Sequence, residues 1–261
     1  LVGLDISGAV ATILSTPEFS SLPGLARNVL FDHVASDDSI LSPIALDMEG
    51  SNGADTLFGG NGADILNSLK GSDRVTTYAG DDTMRGGNGR DKVFGGDDND
   101  TLYGDAGDDR LFGEDGDDIL DGGTKSDRLF GGDGNDMLIG GQGVDTLFGN
   151  VGTDTLLGGR GKDLLKGGNG ADILSGQGGA DTMTGGRDAD VFVFDGTIYE
   201  GRDTITDFTL QEDLIRVAGL TFSDLTITGT TSAVITLDGN TKLTLTGVAA
   251  ADIGQSDFDF V

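Results

Sequence analysis

Between Gly50 and Val193 an aspartate returns every nine residues without a single insertion: Asp55, Asp64, Asp73, Asp82, Asp91, Asp100, Asp109, Asp118, Asp127, Asp136, Asp145, Asp154, Asp163, Asp172, Asp181 and Asp190. Other columns keep the same step. Counted from the first residue of each repeat, aspartate is sixth and position eight is always apolar, from Leu57, Leu66, Val75, Met84 and Val93 to Phe192. Position one is glycine except at Ser68 and Thr77, and position four is glycine except at Asp98, Lys125 and Asp188. A fixed period of this length is the mark of a stack of repeats, each too small to bury its own apolar side chain.

The letters of one repeat dictate its shape. Glycines at positions one, two and four allow positive φ and close backbone approach, so the first six residues form a tight turn with its carbonyls exposed. The last three form a short strand in which position eight faces one way and positions seven and nine the other. If successive turns alternate sides, two repeats make one coil, and two parallel sheets enclose a ladder of position-eight side chains. Eight coils at about 4.8 Å each make a stack on the order of 40 Å long. All three prolines (Pro17, Pro23, Pro43) precede the frame, as expected where every N–H is needed for the ladder.

Stacking also gives the aspartates a task. Turns two repeats apart lie on the same edge, where their carboxylates converge with turn carbonyls to form an oxygen-only cage. Calcium takes six to eight oxygens in flexible geometry, whereas zinc favours imidazole or thiolate and magnesium retains water. The expected calcium ligands are Asp55, Asp64, Asp91, Asp100, Asp109, Asp118, Asp136, Asp145, Asp154, Asp163, Asp172, Asp181 and Asp190. Turn carbonyls such as those of Gly60, Gly62, Gly87, Gly89, Gly132, Gly134, Gly141, Gly143, Gly159, Gly161, Gly168 and Gly170 would complete the cages. The best pairs are expected to be Asp91 with Asp109, Asp118 with Asp136, Asp145 with Asp163, Asp163 with Asp181, and Asp154 with Asp172. Asp73, Asp82 and Asp127 are expected to be weaker or empty sites, because their turns lose a glycine or carry Lys70 or Lys125. Sixteen turns allow at most about fourteen ions. The competing reading is that these aspartates only form Asx-turns or a solvated acidic face. An EF-hand fits poorly, since no glutamate closes a twelve-residue loop, and the GxG triplets are not followed by helices.

Composition agrees. The chain of 261 residues has 45 acidic against 16 basic residues, a formal charge of −29 that attracts cations and repels nucleic acid and anionic lipid. It has no cysteine, so neither a disulfide framework nor a thiolate metal site is available. No apolar run of about 18 residues suggests a membrane span. LVGLDISGAVATIL at the start lacks a basic flank and carries Asp5, unlike a Sec-type signal peptide, and the first residue, Leu rather than Met, is expected of a fragment or processed form.

The repeat GGxGxDxUx resembles the calcium-binding nonapeptide of RTX proteins. ADVFVFDGTIYEGRDTITDFTLQEDLIRVAGL, from Ala189 to Leu220, is similar to the C-terminal module that follows such repeats in serralysin-type metalloproteases, and LTLTGVAAADIGQSDFDFV resembles their uncleaved export signals. The resemblance implies an all-β fold: a right-handed parallel β-roll with two nonapeptide repeats per coil, calcium between turns, and export through the type I secretion apparatus. The expected organisation is a partly helical lead-in at 1–49, the roll at 50–193, and a β-rich capping and secretion-signal module at 194–261. Within the lead-in, Pro17 to Ala35 is expected to be helical, and SPIALDM (Ser42 to Met48) alternates like a strand. The lone His33 is expected to be an ordinary helix residue rather than a ligand.

No HExxH or GxSxG motif is present, so no catalytic constellation is expected within this chain. The expected function is a calcium-binding module that folds after export and supports secretion and stability of a secreted, extracellular or cell-surface protein. One alternative is the C-terminal part of a secreted enzyme, such as a metalloprotease, lipase or polysaccharide-modifying enzyme, with its passenger domain upstream. Another is a surface-layer or adhesive protein. Alternate repeats carry two further columns, Arg74, Lys92, Arg110 and Arg128 at position seven and Phe94, Phe112, Phe130 and Phe148 at position nine. A coil of two repeats would stack both on one outer face, where the rings either stabilise neighbouring coils or form a stripe covered by Pro17 to Ala35, a partner or a sugar polymer.

Overall fold

A computed structural model describes residues 45–195, 201–237 and 241–261. Their chain winds into a parallel β-solenoid of about 9 turns with about 18 residues per turn. An 11-stranded sheet runs from Asp47–Glu49 to Phe258–Phe260, and a 12-stranded sheet opens with Thr56–Phe58 and ends with Thr226–Thr228. Consecutive repeats feed opposite sheets, so each strand pairs with the one a full coil away: Leu66 with Met84 and Leu138 with Leu156 in one sheet, Val93 with Leu111 and Leu147 with Leu165 in the other.

The position-eight column is the core. Val75, Met84, Val93, Leu102, Leu111 and their successors to Phe192 are fully enclosed between the sheets. A backbone rising only one strand spacing per coil crowds the turns. At Gly161, with φ +155, an added Cβ would run into the carbonyl of Gly143 one coil earlier. The turn conformation is imposed even where glycine is missing. Asp98, Lys125 and Asp188 at position four have φ of 78, 80 and 74, and Leu69, Asp105, Glu114, Asn150 and Gln177 at position two are also positive. Left-handed backbone costs such residues about 1–2 kcal/mol each, so the stack over-determines the turns.

Parallel pairing extends beyond the nine-residue frame on both sides. Met48 pairs with Leu66 at the start; at the other end Thr182 pairs with Thr204, Val191 with Leu214, Arg202 with Lys242 and Ile215 with Phe258. Two antiparallel strands, Ser232–Thr236 and Thr226–Thr228, then close the 12-stranded sheet. Ile205, Ile215, Val217, Ile235, Leu243 and Leu245 continue the core into this β-rich cap. The helical expectation for Pro17 to Ala35, with His33, lies outside the described residues. Among those described, no helix is long and apolar enough to cross a membrane.

The two outward columns share one sheet, as a two-repeat coil requires. Phe94, Phe112, Phe130 and Phe148 stack with centroids 4.7, 4.9 and 5.0 Å apart and planes within 5° of parallel. The Arg74 guanidinium lies 4.2 Å from the Phe94 centroid at one end, and the Lys166 ammonium 5.6 Å from that of Phe148 at the other. Ring faces are thus covered by neighbouring rings and end cations, leaving edges outward. That favours the coil-stabilising reading, because stacking a sugar ring needs an open aromatic face.

Candidate metal centre

Position-six aspartates are held by the coil before them. The backbone N–H of Asp91 donates to Asp109 Oδ1 at 2.7 Å, that of Asp118 to Asp136 Oδ1 at 2.9 Å, and those of Asp145, Asp154 and Asp163 to Asp163, Asp172 and Asp181 Oδ1 at 2.8 Å each. The same bond joins Asp55 to Asp73, Asp64 to Asp82, Asp73 to Asp91, Asp82 to Asp100, Asp100 to Asp118, Asp109 to Asp127, Asp127 to Asp145, Asp136 to Asp154 and Asp172 to Asp190. Two ladders of carboxylates therefore run along the two edges. Their Oδ1 atoms accept from a backbone N–H one coil away rather than from the local backbone of an Asx-turn, while Oδ2 remains.

That second oxygen is the exceptional feature. In thirteen aspartates, Asp73 through Asp181 in unbroken sequence of repeats, Oδ2 is buried and has no hydrogen-bond partner. Buried polar atoms of native proteins are nearly always paired, and leaving one unpaired costs about 1–3 kcal/mol, more if charged. At the ends the defect is relieved locally. Asp55 Oδ2 accepts from the Ser51 N–H at 2.6 Å, Asp64 Oδ2 from the Gly60 N–H at 2.6 Å, and Asp213 Oδ2 from the Thr209 N–H at 2.7 Å.

Desolvation follows. Burial pushes Asp100 and Asp127 up to about 8, Asp82, Asp109, Asp136, Asp172 and Asp190 to about 7, and Asp91, Asp118, Asp145, Asp154 and Asp181 to about 6. Hydrogen bonds from the preceding coil oppose the shift, and neighbouring aspartates such as Asp82 beside Asp100 add to it.

Space beside Oδ2 is bounded by a second oxygen. A Cβ added to Gly140 would lie 2.5 Å from the Gly158 carbonyl oxygen and 2.8 Å from Asp145 Oδ2; at Gly158 the corresponding oxygens, of Gly176 and Asp163, are both 2.8 Å away. From Gly86 to Gly167, position one of the next coil thus brings a carbonyl to the cradle, a contributor absent from the position-two and position-four carbonyls expected from the repeat. Position-four carbonyls, including Gly143, line the same edges one coil apart. Among the described residues no three His, Cys, Asp or Glu side chains cluster closely enough to hold a metal ion by themselves, so a donor set here must combine carboxylates with backbone carbonyls. Unpaired carboxylate oxygens with carbonyls, and neither imidazole nor thiolate, suit a hard oxygen-seeking cation such as calcium.

Two ladder members escape the nine-residue count. The Asp181 N–H donates to Asp203 Oδ1 at 2.9 Å and the Asp190 N–H to Asp213 Oδ1 at 3.0 Å. Both begin an aspartate-x-apolar triplet, Asp203-Thr204-Ile205 and Asp213-Leu214-Ile215, and before Asp203 the position-four glycine persists as Gly201, paired with Gly179. Asp127, expected to be weak, holds the same place as its neighbours; Lys125 instead helps lower the exposed Asp108 carboxyl, whose main partner is Arg90.

No curated protein sequence matches this chain significantly. Among solved structures, the extracellular lipase LipA from Serratia marcescens is similar at 19% identity and a TM-score of 0.32, over 77% of this chain and 45% of the lipase, so the chain spans less than half of that protein. The AlgE6R3 subunit of the Azotobacter vinelandii mannuronan C5-epimerase is similar at 25% identity and a TM-score of 0.28, over 55% of this chain and 77% of the subunit. The repeats themselves match the family described as RTX calcium-binding nonapeptide repeat across residues 47–192, more than half of the sequence. With that match over the region where buried carboxylates stack without partners, the chain belongs to the RTX calcium-binding nonapeptide repeat family.

Proposed function

We propose that this chain is a calcium-dependent folding module of a type I secreted protein, unfolded where calcium is scarce and assembled into the solenoid outside the cell. The observation that carries the reading is the row of thirteen buried Oδ2 atoms without partners. Calcium, when bound, supplies the positive charge that lets those carboxylates ionise in a desolvated edge. The chain's own part is positional: Oδ1 is fixed by the N–H of the preceding coil, which aims Oδ2 along the edge, and the turn glycines admit the carbonyls beside it. Asp91, Asp100, Asp109, Asp118, Asp136, Asp145, Asp154, Asp163, Asp172 and Asp181 are the proposed principal carboxylate ligands, with Asp55, Asp64 and Asp190 nearer the ends and Asp203 and Asp213 closing the ladders.

A net charge of −29 opposes compaction until cations arrive, and binding to the folded form alone contributes its free energy to folding. Extracellular calcium modules typically bind at about 10⁻⁴ to 10⁻³ M, so the low calcium of a cytoplasm leaves the chain threadable and the outside medium folds it. Circular dichroism at neutral pH tests this. Strand content should be low in EDTA and rise cooperatively with millimolar calcium; full strand content in EDTA, unchanged by calcium, would contradict it. Export is tested separately by whether residues 194–261 carry a fused reporter through a type I channel.

A further inference from the structure

Two adjacent turns, one on each edge, depart from glycine at position one, and both carry a hydroxyl. Ser68 and Thr77 are buried. Their side chains enter the space that a Cβ would occupy at Gly122, Gly140 or Gly158, between the Oδ2 of the same turn and the position-one carbonyl of the next coil. Ser68 Oγ donates to the Gly86 carbonyl at 2.5 Å, and Thr77 Oγ1 donates to the Gly95 carbonyl. Thr77 Cγ2 uses the room left by Gly59 one coil earlier, lying 2.5 Å from where a Cβ on that glycine would fall.

We propose that Ser68 and Thr77 stand in for the metal at their rungs, their hydroxyls clamping the coil of Gly86 and Gly95 onto the one before, so that the N-terminal end of the solenoid holds without calcium. The proposal rests on the calcium reading above and adds a division of labour to it. A hydroxyl has one hydrogen, and giving it to the carbonyl both satisfies an acceptor and fills the cradle that an ion would need. Two such clamps on consecutive turns tie both edges of one coil, giving a folded seed onto which later coils stack as ions bind. The design suits a repeat array, in which propagation from a formed neighbour avoids repeated nucleation.

The test counts ions and maps protection. Calcium bound per chain is measured by equilibrium dialysis for the wild type, for Ser68→Gly/Thr77→Gly, and for Gly140→Ser, which introduces a hydroxyl into a glycine cradle. The double variant should bind about two more ions than the wild type and Gly140→Ser about one fewer. In EDTA, amides of 68–95 should exchange more slowly in the wild type than those of 118–190, and the double variant should lose that difference. Equal ion counts in a folded double variant overturn the proposal. If that variant fails to fold with calcium, undiminished binding by Gly140→Ser overturns it, and a loss of one ion supports it. A wild type that binds no calcium at all would instead remove the calcium reading beneath it.

Discussion

Metal-free solenoid should be an acid-stable structure, which separates buried, unpaired carboxylates from merely solvated ones. Thirteen carboxyls are pushed up to between about 6 and about 8, led by Asp100 and Asp127, with Asp203 near 7 at the C-terminal end. Their folded pKa values lie above the ordinary value of 3.8, so the folded chain holds protons that the unfolded chain has already released. The stability they allow is fully present below about pH 4 and lost as pH rises through 6 to 8. Each such group contributes about 1.4 kcal/mol per pH unit while protonated only in the folded state. Thirteen together give a formal slope of roughly 18 kcal/mol per unit, and a threefold discount for solvent screening still leaves on the order of 6. A typical domain has only about 5–15 kcal/mol in total. The chelator-treated chain should therefore show strand content near pH 5 and lose it by pH 8. Saturating calcium should reverse the trend, since ligands must be deprotonated to bind. Circular dichroism and thermal melts between pH 5 and 8, with and without calcium, measure both slopes. A metal-free chain as well folded at pH 8 as at pH 5 would show that these carboxyls are not desolvated in the folded chain.

Other expectations follow from single contacts. Leu138→Ala removes a fully enclosed rung of the core ladder and should lower stability in saturating calcium by about 2–5 kcal/mol in urea unfolding; a loss below about 1 kcal/mol would mean the sheets close over the gap. Phe130→Leu keeps an apolar filling but breaks two stacked ring contacts, each worth about 0.5–1.5 kcal/mol beyond burial, so it should still cost about 1–3 kcal/mol; no loss with leucine would show that stacking adds nothing. Asp203→Ala leaves the buried Asp181 N–H unpaired, so it should cost about 1–3 kcal/mol and speed amide exchange in the last coils first. Exchange that changes uniformly along the chain would contradict a local role.

The register of the solenoid was legible because three demands repeat at one period: room at the turns, an apolar residue inward, and a carboxylate at the edge. Alternate-repeat columns even assigned Phe94 to Phe148 to one sheet. Three things were not legible. Asp203 and Asp213 join the ladders across connections of 22 and 23 residues, and a count of nines loses them although their local triplets persist. Division of labour within each carboxylate was hidden too, because residue spacing places a side chain at an edge without saying that Oδ1 serves a backbone N–H while Oδ2 does not. Finally, Ser68 and Thr77 looked like defects for want of glycine; only their donation to Gly86 and Gly95 shows what the added atoms do.

Whether the unpaired Oδ2 atoms are cation ligands is decided by a crystal structure of the chain grown in millimolar calcium, with anomalous scattering used to locate the ions. Calcium is expected within about 2.3–2.6 Å of Oδ2 along both edges at Asp91, Asp109, Asp118, Asp136, Asp145, Asp154, Asp163 and Asp172, with carbonyl oxygens completing each shell. Carboxylates whose Oδ2 atoms meet only water or protein donors, with no anomalous peak on either edge, would contradict a ligand role.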